Sequence, residues 1–218
     1  MAPRRRTVSL IAATIGLTAT ACGGGSTSGL APSGSTSPTT DHSTSAAPGL
    51  ATDERLKPGV RYTDASDFTP PVSLAVPTGH WYPYLRGNGA LSLRVASGPA
   101  EGQAVGKGIE VVQESGTVAG VINELFSSQA LHPGKAHSFS VAGQPGRWYD
   151  VTITRKADLA KPPSLAGEQV DPAEGLRVFA IGGDGSALVA LVITDHRADL
   201  AGFLDEATHV VNSFRISR

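Results

Sequence analysis

Leu176-Arg177-Val178-Phe179-Ala180-Ile181, then Gly182-Gly183-Asp184-Gly185, then Ala187-Leu188-Val189-Ala190-Leu191-Val192-Ile193-Thr194 carry the strongest structural signal in the chain. Two runs rich in branched and aromatic side chains flank three glycines and an aspartate, which predicts two strands joined by a hairpin turn. A hairpin pairs its strands antiparallel. The glycine cluster has the composition of a phosphate-binding loop, but such loops lead into a helix N-terminus, and here another strand follows. Ala187–Ile193 is also the longest apolar run after the leader, and seven residues fall far short of the roughly 20 that a membrane-spanning helix needs.

Working outward, Ser138–Val141 and Trp148–Thr154 flank Gly143-Gln144-Pro145-Gly146, which predicts a second hairpin with its turn on those four residues. Leu91, Leu93 and Val95 alternate with Ser92 and Arg94, the pattern of a strand with one buried face. Ser73–Val76 and Ile109–Val112 are short apolar runs, and Phe214-Arg215-Ile216 makes a closing strand. Two helices lie between. In Thr117–Leu131 the residues Val118, Val121, Ile122, Leu125 and Phe126 recur at helical spacing, Thr117 offers a cap, and His132-Pro133-Gly134 ends the run. In Asp199–Ser213 the stripe is Leu200, Phe203, Leu204, Ala207, Val210 and Val211, with Asp195 or Asp199 as cap. The fold class is therefore α+β, a twisted antiparallel sheet with two amphipathic helices packed on it.

Composition divides the 218 residues into three unlike segments: 1–21, 22–56 and 57–218. Only the last holds aromatic residues, all twelve of them from Tyr62 onward. It is large enough to bury about two-thirds of its extended surface. Its net charge is −2, which offers no steering toward nucleic acid, so no nucleic-acid partner is expected.

Arg4-Arg5-Arg6 and the apolar stretch Val8–Ala21 have the layout of a secretory signal peptide. Fourteen helical residues rise about 21 Å, less than the roughly 30 Å hydrocarbon core, so this segment is a poor membrane span. Ala19-Thr20-Ala21 supplies small residues at the cut, and Cys22, the one cysteine of the chain, follows at once. That junction resembles the bacterial lipoprotein signal, in which cleavage before a cysteine leaves it lipidated as the new N-terminus. The resemblance implies cleavage between Ala21 and Cys22, lipidation of Cys22, and a protein held at the outer face of the cell membrane by its lipid. From Cys22 to Thr52, 26 of 31 residues are Gly, Ser, Thr, Pro or Ala, too little apolar surface to offset the entropy of ordering. Residues 22–56 are read as a flexible tether.

Across 57–218 the chain resembles the Mog1/PsbP-like fold, and within it a group of secreted lipoproteins from high-GC Gram-positive bacteria. The matching pieces are Tyr62, Phe68-Thr69-Pro70-Pro71-Val72-Ser73-Leu74-Ala75-Val76-Pro77 with Gly79-His80-Trp81, then Val141-Ala142-Gly143-Gln144-Pro145-Gly146, then Ala207 with Val211-Asn212-Ser213-Phe214. His80 separates a glycine and tryptophan that adjoin in the family. The resemblance implies a binding or accessory module without shared catalytic residues.

Candidate chemistry is sparse. The histidines at 42, 80, 132, 137, 196 and 209 lack metal-ligand spacing, so neither a metal nor another cofactor is expected. No Gly-x-Ser-x-Gly elbow occurs, although Asp195-His196 is a pair that a dispersed catalytic site would use. His80-Trp81-Tyr82-Pro83-Tyr84 gathers three large rings, and Trp148-Tyr149 two more, on a strand where neighbours face opposite sides. Trp81, Tyr82, Tyr84, Trp148 and Tyr149 are thus the candidate contact residues, with core packing the competing role of Trp81. Two functions follow as expectations. One is a lipid-anchored, non-enzymatic module binding an envelope protein or amphipathic ligand. The other is a cell-envelope hydrolase or transferase with a site of dispersed Asp, His and Ser. An apolar or aromatic groove favours the first, and converging polar side chains the second.

Overall fold

The computed structural model describes residues 47–51, 54–87, 89–96, 104–183 and 185–217. Residues 1–46, including the leader, Ala21, Cys22 and most of the predicted tether, lie outside the described residues. From the N-terminus the chain forms β1 (Arg61–Asp64), β2 (Val72–Ala75), β3 (Trp81–Gly87), β4 (Ala90–Ala96), β5 (Ala104–Ser115), α1 (Val118–Leu125), β6 (Leu131–Pro133), β7 (His137–Val141) and β8 (Gln144–Ile153). Then come β9 (Ala157–Asp158), β10 (Gln169–Val170), β11 (Gly175–Gly183), β12 (Ser186–Thr194), α2 (Leu200–Ser213) and β13 (Arg215–Ile216).

The central sheet runs β3-β4-β5-β12-β11-β8, with β6 and β7 sharing the outer edge of β8. Every pairing is antiparallel. β12 lies in the middle because it has nothing polar to show to water. Ala187, Val189, Leu191 and Ile193 face one core, Leu188, Ala190 and Val192 the other, and none is more than 3% exposed. Each fully buried aliphatic side chain contributes about 1.5–3 kcal/mol, so a strand buried on both faces outweighs any local propensity. One face is covered by α2 and the small sheet β1-β2-β13, the other by α1, β9–β10 and the turn Pro163–Leu165.

Several sequence expectations need correction. The first helix ends at Leu125 rather than Leu131. Thr117 caps it as expected, accepting from Gly120 N at 3.1 Å, but Ser127 Oγ donates to Glu124 O at 2.6 Å and takes over a terminal carbonyl. Leu131 then pairs with Ile153, so His132 and Pro133 belong to an edge strand. For α2, neither Asp199 nor Asp195 caps through its side chain; a 3-10 turn over Arg197–Asp199 leads into the helix, and Asp195 N donates to Gly106 O. The strand around Leu91–Val95 is covered on both faces, because Ser92 and Arg94 are buried against Glu110. Ile109–Val112 is the middle of a strand of twelve residues.

Both hairpin turns are tighter than read. Gln144, Pro145 and Gly146 lie within β8, and the turn is Ala142-Gly143, with φ of 52° and 79°. Positive φ at both positions is what a two-residue type I′ turn demands. The second hairpin likewise closes from Gly183 to Ser186. The predicted boundary at Leu56 also moves. Gly49 bridges to Thr63, Thr63 N donates to Pro48 O at 3.0 Å, and Arg86 Nη1 donates to Leu50 O. Leu50 and Leu56 are 3% and 2% exposed, so the packed body begins near Pro48.

Candidate binding groove

The five aromatic candidates do not form one patch. Trp81 has no exposed surface; it stacks on Phe203 at 5.7 Å and its Nε1 donates to Glu206 Oε1 at 2.8 Å. It is a core residue that ties β3 to α2, which corrects its place among contact residues. Tyr82 is buried on the opposite face. Tyr84 sits where the β3–β4 register shifts, and the bulge turns it to solvent at 39% exposure. Trp148 and Tyr149 stand on β8, five strand spacings or about 24 Å from β3. Strand alternation splits that pair as expected. Tyr149 is buried edge-on to Phe126 on the α1 side, and Trp148 stands half-buried on the α2 side.

Around Trp148 the strand order assembles a site. β8 lies between β7 and β11, so His137 reaches the indole from one side and Arg177 from the other. The His137 ring stacks at 3.9 Å and 7°, and the Arg177 guanidinium carbon lies 4.0 Å from the ring centroid. A cation over an indole gains about 0.5–2 kcal/mol and is fixed in direction. Arg177 is held further by Asp150, its partner in the β11–β8 register, through Nε at 2.8 Å and Nη2 at 2.7 Å. Among the described residues nothing accepts from its Nη1.

Asp150 and Arg177 also line a cavity of about 340 Å³ between this end of the sheet and the first turns of α2. Leu200, Ala201 and Leu204 form its apolar wall, and Arg197 adds a second guanidinium at the rim. Leu200 and Leu204 are partly buried at the margin of the core, whereas Phe203, Ala207, Val210 and Val211 on the same helix are fully buried in it. Two cations, one carboxylate and an aliphatic wall make a groove suited to a ligand with an anionic end and an apolar body.

Sequence reasoning found Trp148 but missed Arg177, which stacks on it, and Asp150, Arg197, Leu200 and Leu204, which share a cavity with Arg177. One signal was available: Arg177 is the single charge in the run Leu176–Ile181. The pair Asp195-His196 is exposed on the connection after β12; Asp195 lies over Gly106, and among the described residues neither side chain is hydrogen-bonded to a serine. His132 and His137 stand on β6 and β7, and His209 is exposed on α2.

No protein-family model matches the chain, and no curated protein sequence does. Among solved structures it is similar to cyanobacterial PsbP (CyanoP) from Synechocystis sp. PCC 6803, at 13% identity and a TM-score of 0.45 over 72% of this chain and 91% of that one. It is also similar to the protein of unknown function PA94 from Pseudomonas aeruginosa, at 15% identity and a TM-score of 0.39 over 67% and 91% of the two chains. A structure from Bacteroides thetaiotaomicron VPI-5482 shares 10% identity and a TM-score of 0.34 over 67% of this chain and 45% of its own. No residue role passes from any of these proteins to this chain.

Proposed function

We propose that this chain is a lipid-anchored, non-enzymatic binding module of the bacterial cell envelope, of the secreted lipoprotein kind found in high-GC Gram-positive bacteria. Its groove between α2 and the β8–β11 pair takes an amphipathic ligand that ends in an anion. The observation that carries this reading is the cation stack, Arg177 clamped on Trp148 and Asp150 beside the wall of Leu200 and Leu204. A preset guanidinium facing an aliphatic wall binds without reorganising, which is how modest grooves reach useful affinity.

The anchor supports the same reading. Signal cleavage between Ala21 and Cys22 exposes a cysteine that, as a diacylglycerol thioether, carries two chains, and two chains hold stably where one does not. Of the 25 residues between Cys22 and the packed segment at Pro48, 22 are Gly, Ser, Thr, Pro or Ala, the composition of a flexible tether. On this reading the tether holds the module close to the outer face of the membrane, within reach of lipids and envelope proteins. Isothermal titration with sodium dodecanoate, below its micelle concentration, tests the groove. Saturable binding is expected, weakened about tenfold or more by Arg177→Ala and absent for dodecylammonium. Equal binding of both amphiphiles, or none of dodecanoate, contradicts the reading.

A further inference from the structure

Sheet edges expose unpaired backbone groups, and proteins that stay monomeric blunt them with proline, charge, bulges or short strands. Among the described residues this chain blunts nearly all of its edges. β3 has Pro83 and a bulge, β1 is bridged by Gly49, β6 is three residues ending in Pro133, and β9, β10 and β13 are two residues each. β7 is the exception. His137-Ser138-Phe139-Ser140-Val141 pairs with β8 in unbroken register, contains no charge and no proline, and leaves Ser138 and Ser140 exposed.

We infer that β7 is a homodimer edge, pairing antiparallel with the β7 of a second copy about a two-fold axis through Phe139. This rests on the pattern of the strand alone and is independent of the groove reading. The two-residue turn makes Val141–Gln144 a hydrogen-bonded pair, and the ladder alternates from there. His137, Phe139 and Val141 therefore spend their amides on β8, while the N–H and C=O of Ser138 and Ser140 point outward. The central Ser138-Phe139-Ser140 is palindromic about Phe139. Against a second copy, Ser138 meets Ser140 and Ser140 meets Ser138, two hydrogen-bonded pairs that supply four inter-chain bonds. Phe139 stands opposite its own counterpart at the non-hydrogen-bonded position, its ring laid inward over Gly146 and edge-on to Phe179. His137 meets Val141, so no like charges stand opposite. The interface is isologous, as a two-fold pair requires. A second copy is favoured as occupant because the palindromic Ser138-Phe139-Ser140 sets outward backbone groups against outward backbone groups, with no proline or like charge opposed.

Sedimentation equilibrium of the detergent-solubilised full-length chain, over a hundredfold concentration range, tests this. Wild type should associate to dimers. Ser140→Pro removes an outward N–H and leaves the β8 ladder intact, so it should weaken dimerisation at least tenfold. Ser138→Lys/Ser140→Lys sets lysine against lysine across the axis and should do the same with an unchanged melting curve, which keeps the test decisive should the proline variant misfold. A wild type that stays monomeric throughout, or dimers that persist in both variants, would overturn the inference.

Discussion

At the scale of single residues, Arg86 shows how one side chain decides where the folded body begins. Its Nε donates to Asp64 Oδ2 and its Nη2 to Asp64 Oδ1, both at 3.1 Å, while its Nη1 holds the carbonyl of Leu50. Asp64 is 1% exposed, so its carboxylate depends on these donors together with Ser66 N and Asp67 N. Removing the arginine leaves a buried charge short of its counter-ion. Arg86→Ala should destabilise by on the order of 3 kcal/mol, and protease should then cut between Pro48 and Leu56 before the core opens. A melting temperature and a cleavage pattern like those of wild type would show that the clamp contributes nothing. Trp81 and Trp148 make the complementary point. Both are tryptophans in aromatic clusters, yet one lies wholly in the core and the other stands at the groove, because strand parity and position in the sheet assign their roles.

At the scale of elements, the β7–β8 hairpin carries a local cost that can be measured. Ala142 holds a φ of 52°, a left-handed conformation disfavoured for alanine by roughly 1–2 kcal/mol. Asn-Gly is the preferred pair for such a turn, so Ala142→Asn should raise stability by about 0.5–1 kcal/mol, read as a higher melting temperature. A lower one would contradict the turn assignment. This hairpin also marks the limit of what was legible. The β11–β12 hairpin could be read because its strands are buried on both faces and, Arg177 apart, apolar. The β7–β8 turn was displaced because Gln144-Pro145-Gly146 is turn-like in composition, yet Phe139 lies over Gly146, which must be small there. The stripe of α1 was legible and its end was not, since Leu131 fits a helix periodically but is claimed by Ile153 across the sheet. The groove was the least legible feature. Its residues come from β8, β11 and α2, and no local pattern reports which strands become neighbours.

At the scale of the whole molecule, the proposed lipid anchor and the proposed groove can be tested separately. Cys22→Ser should abolish incorporation of labelled fatty acid and release the protein into the medium; persistent labelling would reject the anchor. Crosslinking in intact cells tests whether the groove is where a ligand binds. A photoreactive benzoylphenylalanine placed at Ala201, on the groove wall, should yield a defined adduct, which Arg177→Ala reduces. The same group at Asn123, exposed on α1 and on the other side of the sheet, should yield none. Equal adducts from both positions, or adducts from Asn123 alone, would contradict the assignment of the groove as the binding site.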